Sequence, residues 1–308
     1  MNPLRSTILA AAGNDAIRRF VAGAPFSRDV VRRFVAGESA AAAVAVTGRL
    51  VAEGIQVSLD YLGEDTTDAA QAENTVLAYQ ELLDALHADG LTEHAEVSVK
   101  LSAVGGKLDA ALAADNAARI CAAAERAGTV VTLDMEDHGS TDLTLRVLGE
   151  LRRKYPRTGA VLQAYLRRTL DDCRELAGPE SRVRLCKGAY AEPDSVAFAE
   201  PHQVDLNYLR CVNVLLAGHG YPMFATHDPR LLRIIGERAR WHNRKPGGYE
   251  YQMLYGIRPD EQRRLTQAGE TVRVYVPYGE QWYGYLMRRL AERPANIAFF
   301  ARALVSRG

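Results

Sequence analysis

Two adjacent arginines near the C-terminal end of the chain have a spacing that favours carboxylate binding. Residues 272–292, VRVYVPYGEQWYGYLMRRLAE, predict a strand, a break at the proline and glycine, and a helix. On that helix Tyr285, Arg288, Arg289 and Glu292 follow at i, i+3, i+4 and i+7, so they share one face. Two guanidiniums beside aromatic rings can hold a small carboxylate through forked hydrogen bonds. The alternative is a solvated pair of charges that complements the helix dipole.

Polar residues also close the short β-rich runs upstream of this helix. Cations grouped at one edge of a sheet are costly to desolvate unless they are paired, so Lys100, Arg184 and Lys187 should face carboxylates or an anionic ligand. In order of the predicted strands, the polar residues are Asp60, Lys100, Asp134 with Glu136, Asp137 and His138, Gln163, Arg184 with Lys187, Thr226 with His227 and Asp228, Glu250 with Gln252, and Tyr275.

Eight predicted strands alternate with helices between residue 54 and the C-terminal end. The strands are predicted at 55–60, 97–102, 130–135, 160–164, 183–187, 223–226, 249–253 and 272–276. The helices between them are predicted at 67–88, 108–127, 142–154, 170–177, 204–217, 229–242 and 259–267. This alternation predicts an α/β fold of the (β/α)8 TIM-barrel type, with the final helix over the carboxyl ends of the strands. A doubly wound open sheet is the alternative, but no GxGxxG motif follows the first strand.

Domain organisation and location follow from composition and from the segment before the first strand. Residues 1–53 predict an N-terminal helical arm, and residues 54–308 predict the catalytic barrel. The 38 basic and 38 acidic residues cancel, which gives no electrostatic reason to expect nucleic acid. Four widely spaced cysteines suggest reduced thiols and a cytoplasmic protein. No stretch is long enough to span a membrane, so any membrane contact, for example through the basic faces of the arm, should be peripheral.

The polar residues at the ends of the strands could serve three classes of enzyme. Two of these classes need neither a flavin nor a redox step. A divalent-metal enzyme would use Asp134, Glu136 and His138 with His227, although cations crowd the same edge. A Schiff-base lyase would use Lys187 or Lys100 as an amine nucleophile whose pKa is lowered by neighbouring positive charge. Both remain open on residue types alone.

A flavoenzyme is the third class. Arg184 and Lys187 would surround the electron-rich ring edge and the phosphates of the flavin, Gln163 would bind its polar rim, and the final helix would hold a carboxylate substrate. A small-molecule binding barrel without turnover would present the same pocket.

Seven sequence motifs, in order, give the chain a specific family resemblance. VSVKLS, LDMED, LQAYLRR, RLCKGAY, FATHD, YVPYG and WYGYLMRRLAE resemble proline dehydrogenases, which are FAD enzymes that oxidise L-proline to Δ1-pyrroline-5-carboxylate in proline catabolism. The match runs from residue 55 to residue 296. The chain has no room for the aldehyde dehydrogenase domain of bifunctional relatives, so it resembles the monofunctional type. The resemblance also implies electron transfer to a membrane quinone and no metal.

The resemblance assigns roles to residues at the positions that match these motifs. It implies that Lys100, Arg288 and Arg289 bind the substrate carboxylate and, with Asp134 and Tyr275, form the catalytic set. The rest of the proline pocket is implied to be Leu185, Tyr190 and Tyr285, with Glu64 as a gate that pairs with one of the helix arginines. FAD is implied to contact Gln163, Arg184, Lys187, Thr226, His227 and Glu292.

Overall fold

The strands form a closed parallel barrel in sequence order. The structure is a computed structural model that describes residues 31–63 and 66–292, with the backbone alone for residues 288 and 290–292. Each strand pairs with the next, and β8 pairs with β1. The strands are β1 Gln56–Tyr61, β2 Ala95–Val99, β3 Val131–Leu133, β4 Gly159–Gln163, β5 Arg182–Cys186, β6 Tyr221–Ala225, β7 Glu250–Leu254 and β8 Val272–Tyr278. The predicted (β/α)8 fold is confirmed.

Helices connect successive strands and cover the outside of the barrel. The helices are α1 Ala40–Ala52, α2 Ala69–Ala88, α3 Ala110–Ala127, α4 Thr141–Arg152, α5 Thr169–Glu175, α6 Pro201–Ala217, α7 Pro229–Trp241, α8 Pro259–Gln267 and α9 Trp282–Glu292. Asp68 and Asp109 cap α2 and α3, because their carboxylates accept hydrogen bonds from backbone N–H groups in the first helical turn. The helices between the strands, α2 to α8, begin within two residues of their predicted starts, except α6, which begins three residues earlier than predicted.

Alternation along the strands separates the apolar layer from the interior of the barrel. Val57 and Leu59 of β1 pack with apolar residues of the surrounding helices, and Val274 and Val276 of β8 join the same cluster. Their neighbours in sequence, such as Ser58, point into the space that the barrel encloses, which we call the lumen. The hydrophobic core therefore lies between strands and helices, and the lumen is left for polar groups.

The first and the last described helices both pack near the seam between β1 and β8. Helix α1 packs on the outside of β8 and β1, where Val44 and Val46 join the core. Helix α9 lies instead at the carboxyl ends of the strands, where Leu286 packs with Phe34 and with Leu62, just past β1. This placement agrees with the predicted position of the final helix. Within the described residues, no helix has the length and apolar character needed to cross a membrane.

Three strand ends differ from the prediction by two or three residues, and one of them is that of β3, which ends at Leu133 and not at residue 135. The prediction ended the last strand at residue 276, but β8 continues through Pro277 to Tyr278, paired with β1 alone. Because β7 pairing ends at Tyr275, the missing N–H of Pro277 faces no strand there, which is where a sheet tolerates proline. The second strand ends earlier than predicted, at Val99, so Lys100 lies just beyond it.

Candidate active site

A lysine, two aspartates and a tyrosine meet toward the carboxyl ends of β1, β2, β3 and β8. Lys100 Nζ lies 2.6 Å from Asp60 Oδ2 and 3.5 Å from Asp134 Oδ2, and it donates a hydrogen bond to Tyr275 Oη at 3.2 Å. Lys100 and Asp134 are each less than 10% exposed. The expectation that Lys100 is paired with carboxylates is confirmed, and Asp60 is the partner that residue types alone did not identify.

Asp134 connects Lys100 and Tyr275 to the guanidinium of Arg184. Its Oδ1 accepts from Ser98 Oγ and Arg184 Nη1, both at 2.7 Å, and its Oδ2 accepts from Tyr275 Oη at 2.7 Å. Burial by itself raises the pKa of Asp134, but Lys100 and Arg184 outweigh burial and hold the pKa below its ordinary value. Asp134 is therefore an ionised carboxylate that orients two cations.

Tyr275 is held as a neutral phenol. Burial, followed by the charges of Asp134 and Asp60, raises its pKa well above the ordinary tyrosine value. Its hydroxyl therefore keeps a hydrogen to donate to Asp134 while its oxygen accepts from Lys100. Lys100, Tyr275 and Asp134 consequently form a directional sequence of hydrogen bonds.

Arg184 of β5 has an acceptor for every N–H of its guanidinium. Nε donates to Gln252 Oε1 at 2.5 Å, and Nη1 donates to the Ser98 and Asp134 side chains described above. Nη2 donates to Ser58 Oγ at 2.9 Å and to Glu96 Oε1 at 3.3 Å. Burial lowers the pKa of Arg184, but the carboxylates of Asp134 and Glu96 raise it overall. The guanidinium is thus fixed from four strands at once.

A second tier of charged residues lies in the lumen, nearer than Arg184 to the amino ends of the strands. Glu96 Oε2 lies 2.6 Å from Arg182 Nη2, and Glu250 Oε1 lies 2.7 Å from Arg273 Nε. Burial would raise the pKa of Glu96, but Arg273, Arg182 and Arg184 lower it to about 2. These four residues are less than 9% exposed, so each ion depends on its partner.

The sequence indicated only Glu250 among the four residues of the second tier. The prediction considered the polar residue that closes each strand, whereas Glu96, Arg182 and Arg273 lie at or near the starts of their strands. The available signal was polar side chains at i and i+2, as in Arg182 and Arg184 or Glu250 and Gln252. Such a repeat inside a strand predicts a polar lumen as well as a polar rim.

Four of the predicted cofactor residues, Gln163, Lys187, Thr226 and His227, occupy the adjacent part of the rim, at or just after the ends of β4, β5 and β6. Gln163 Nε2 donates to the Glu136 carbonyl at 2.7 Å, and Thr226 Oγ1 accepts from the Asp228 N–H at 3.1 Å. Lys187 Nζ lies 2.5 Å from Asp205 Oδ1 and 3.5 Å from Asp228 Oδ2, so the expectation that it faces carboxylates is confirmed.

His227 is held by the neighbouring strand in one tautomer. Its Nε2 accepts from the Leu254 N–H at 2.9 Å, which places the ring hydrogen of the neutral imidazole on Nδ1. Its own carbonyl accepts from Arg258 Nη1 at 2.6 Å. These two contacts fix the position of His227 just after β6.

Helix α9 brings one of the predicted arginines and one of the predicted tyrosines over the barrel. The guanidinium carbon of Arg289 lies 5.0 Å from the centre of the Tyr285 ring, a cation–π distance, and Tyr285 is buried. The side chains of Arg288 and Glu292, and all of Glu64, lie outside the described residues. Their predicted roles in substrate binding, cofactor binding and gating stay predictions.

Two predicted pocket residues lie away from the polar cluster. Leu185 is fully buried in the cluster that contains Tyr208 and Val212 of α6, because strand alternation turns it away from the lumen that Arg184 occupies. Tyr190 lies in the loop after β5 and is 40% exposed. Neither contributes to the group around Asp134 in this structure.

The acidic segment after β3 is engaged in contacts that hold loops together. Glu136 accepts from the backbone N–H and the hydroxyl of Ser102, and His138 pairs with Glu192. Among the described residues, no group of three or more histidine, cysteine or carboxylate side chains is arranged to hold a metal ion. The described cysteines are free thiols, as predicted.

Comparisons with known proteins agree with these features. The family model described as proline dehydrogenase matches residues 43–302. Proline dehydrogenase 1 of Bacillus subtilis is 34% identical over 304 residues, covering 99% of this chain and 100% of that protein. A proline dehydrogenase of Deinococcus radiodurans is 39% identical over 275 residues, covering 87% of each. This coverage matches the predicted monofunctional type.

A solved structure extends the similarity to three dimensions. Proline utilization A (PutA) from Bdellovibrio bacteriovorus, inactivated by N-propargylglycine, superposes with a TM-score of 0.79 at 25% identity. The superposition covers 93% of this chain and 36% of the other, so this chain spans about a third of that longer protein.

Proposed function

We propose, from the premise that this chain belongs to the proline dehydrogenase family of oxidoreductases that act on proline, that it oxidises L-proline to Δ1-pyrroline-5-carboxylate with bound FAD. In that reaction C5 of proline loses a hydride and the ring nitrogen loses a proton, which leaves a carbon–nitrogen double bond. FAD would supply the two-electron acceptor for the hydride. The observation that carries the proposal is the ionised Lys100, Asp134 and Arg184 group at the barrel mouth beneath α9.

Carboxylate binding would come from cations on two sides of the mouth. Lys100 lies at the end of β2, and Arg289 lies on the helix that covers the strands. A carboxylate between them would form charge-assisted hydrogen bonds in a site largely shielded from water. The neighbouring Arg288 is proposed to contribute in the same way.

The amine must reach the site without its extra proton, because hydride departure needs the nitrogen lone pair. Nearby cations lower the pKa of a bound ammonium, and Lys100 with the α9 arginines provides this effect. Asp134 is a poor base, because Lys100 and Arg184 hold its pKa below the ordinary value despite its burial. We therefore assign Asp134 to orienting the cations and leave the proton to solvent.

The residues at the rim fit FAD because the proposed substrate residues and most of the proposed cofactor residues occupy different parts of the rim. Lys100, Asp134 and Tyr275 lie toward the ends of β2, β3 and β8, whereas Gln163, Lys187, Thr226 and His227 lie at or just after the ends of β4, β5 and β6. Arg184 lies in the lumen and contacts Asp134. Lys187 Nζ lies beside the carboxylates of Asp205 and Asp228, and a lysine ammonium has three N–H groups that can donate to more than one acceptor. FAD would be held by Gln163, Arg184, Lys187, Thr226 and His227, with Glu292 of α9.

The test of the function is the visible spectrum of the purified protein. We expect non-covalently bound FAD, whose absorption bleaches when L-proline is added without oxygen. A soluble quinone analogue should restore the colour faster than NAD, since electrons are proposed to pass to a membrane quinone. A protein that takes up no FAD, or whose flavin ignores proline, would exclude the proposal. Covalent trapping of a carbonyl substrate on Lys187 by borohydride would favour the Schiff-base alternative.

Replacing Arg289 by methionine should weaken proline binding and leave FAD in place. Loss of a charged hydrogen bond costs about 1.5–3 kcal/mol, so the proline concentration for half-maximal flavin reduction should rise roughly 10- to 100-fold. Stopped-flow reduction at a series of proline concentrations measures it. Arg233→Met, at an exposed arginine on α7, is the control and should behave as the unmodified protein. Equal proline dependence in both variants would place Arg289 outside the substrate site.

A further inference from the structure

A line of hydrogen bonds crosses the lumen from β8 to Arg184. Arg273 Nε donates to Glu250 Oε1 at 2.7 Å, and Tyr221 Oη donates to Glu250 Oε2 at 3.0 Å. Gln252 Nε2 donates to Glu250 Oε1 at 2.5 Å, and Gln252 Oε1 accepts from Arg184 Nε at 2.5 Å. Glu250 and Gln252 are each no more than 3% exposed. The line therefore lies inside the protein.

The direction of this line is determined by chemistry. An ionised carboxylate only accepts hydrogen bonds and a guanidinium only donates them, so a glutamine between the two can satisfy both in one orientation of its amide. Glu250 binds the NH2 end of the Gln252 amide, which turns the oxygen toward Arg184. The reverse orientation would set donor against donor and acceptor against acceptor.

The position of Gln252 gives its contact with Arg184 a particular role. In a closed ring of eight strands β7 lies opposite β3, so Gln252 and Asp134 hold the guanidinium from opposite sides. A planar guanidinium held at Nε and at Nη1 cannot rotate about its long axis. Asp134 in turn uses one oxygen for Arg184 and the other for Tyr275 and Lys100.

We propose that Gln252 is a positioning residue, oriented by Glu250, which fixes the plane of the Arg184 guanidinium and through Asp134 the place of Lys100. The inference rests on the proposed function only for its effect on proline oxidation. Gln252 itself contacts Arg184 and Glu250, so its influence on the reaction passes through other side chains.

Gln252→Met tests the proposal, because methionine keeps a similar volume and loses the amide. In the FAD-loaded protein, the rate constant for flavin reduction at saturating proline should fall roughly 10- to 100-fold, the cost of a small misplacement at a reacting centre. The proline concentration for half-maximal rate should rise less than in Arg289→Met, since Lys100 and the arginines of α9 are still present in the variant. The flavin midpoint potential should also shift, because the cation beside the cofactor has moved.

Gln262→Met is the matched control. Gln262 is also 3% exposed, and its amide donates to the carbonyls of Leu254 and Ile257 at 3.2 and 2.9 Å, away from Arg184. Both variants lose buried hydrogen bonds and should lose comparable thermal stability. A Gln252→Met protein with the reduction rate and potential of the control would overturn the proposal.

Two further measurements test the proposal if Gln252→Met does not fold or if the protein binds no FAD. Glu250→Gln removes the charge that orients the amide, so a smaller fall in reduction rate is expected, and an unchanged rate contradicts the proposal. In protein without FAD, the 15N NMR signal of Arg184 Nε–H, assigned by its loss in Arg184→Met, should exchange slowly with solvent. Fast exchange in Gln252→Met but not in Gln262→Met supports the positioning role, and slow exchange in both refutes it, whatever the cofactor.

Discussion

Arg184→Met is expected to lower the free energy of unfolding by about 3–5 kcal/mol, because it removes one cationic partner from each of two buried carboxylates. Asp134 and Glu96 both lie against this guanidinium, at 2.7 and 3.3 Å. Methionine fills part of the space but offers no donor to either. Urea unfolding at neutral pH measures the loss, and flavin reduction by proline should slow on the order of 100-fold or more in the protein that remains folded.

Arg119→Met is the control for this substitution. Arg119 makes a two-pronged contact with Glu73, with both N–O distances 2.6 Å, but more than a third of each side chain is exposed. Exposed pairs contribute about 0–1 kcal/mol, since water solvates the partner that remains. If the two methionine variants lose the same stability, the lumen charges do not behave as buried ions.

Glu96→Gln should produce a loss of stability that depends on pH. The pKa of Glu96 in the folded protein is about 2, below the ordinary value of 4.5. A lowered pKa means that the stability is fully present above about pH 4.5 and is lost as the pH falls toward 2. The difference between the unmodified protein and the variant should therefore be roughly 3 kcal/mol at neutral pH and should shrink through that interval.

Unfolding midpoints in urea between pH 7 and the lowest pH at which the protein stays folded test this expectation. Glu73→Gln provides the comparison, because its carboxylate also has a lowered pKa but is exposed to solvent. That variant should show a small effect with little dependence on pH. A Glu96→Gln difference that stays constant as the pH falls below 4.5 would show that the charge of Glu96 does not stabilise the fold.

The fold and the upper part of the site could be predicted from the sequence because local patterns determine them. Short β-rich runs and amphipathic helices alternate, and a parallel barrel is the arrangement that buries both faces of such strands. Since the carboxyl ends of these strands converge, residues as distant as Lys100 and Tyr275 were expected at one mouth, and the structure brings them together.

The rest of the site depends on side-chain direction and on which groups pair, and neither is local. Asp60 was recognised as the end of a strand, but its pairing with Lys100 requires the register between β1 and β2. Leu185 shows the same limit, since one position along β5 separates the lumen from the helix layer. The extent of β8 beyond Val276 depended on its pairing with β1, which the sequence alone does not specify.

The paired ions of the lumen also favour one register of the strands over others. A slip of one residue in any strand that carries them would turn them toward the apolar helix layer, where an unpaired ion costs several kcal/mol. Arg184 receives acceptors from β1 and β7, so a partly assembled barrel that lacks either strand leaves it unsatisfied. Misaligned sheets should therefore be less stable than the native one, and full stabilisation should require both β1 and β7. The ions are four acids and four bases, namely Asp60, Glu96, Asp134, Glu250, Lys100, Arg182, Arg184 and Arg273.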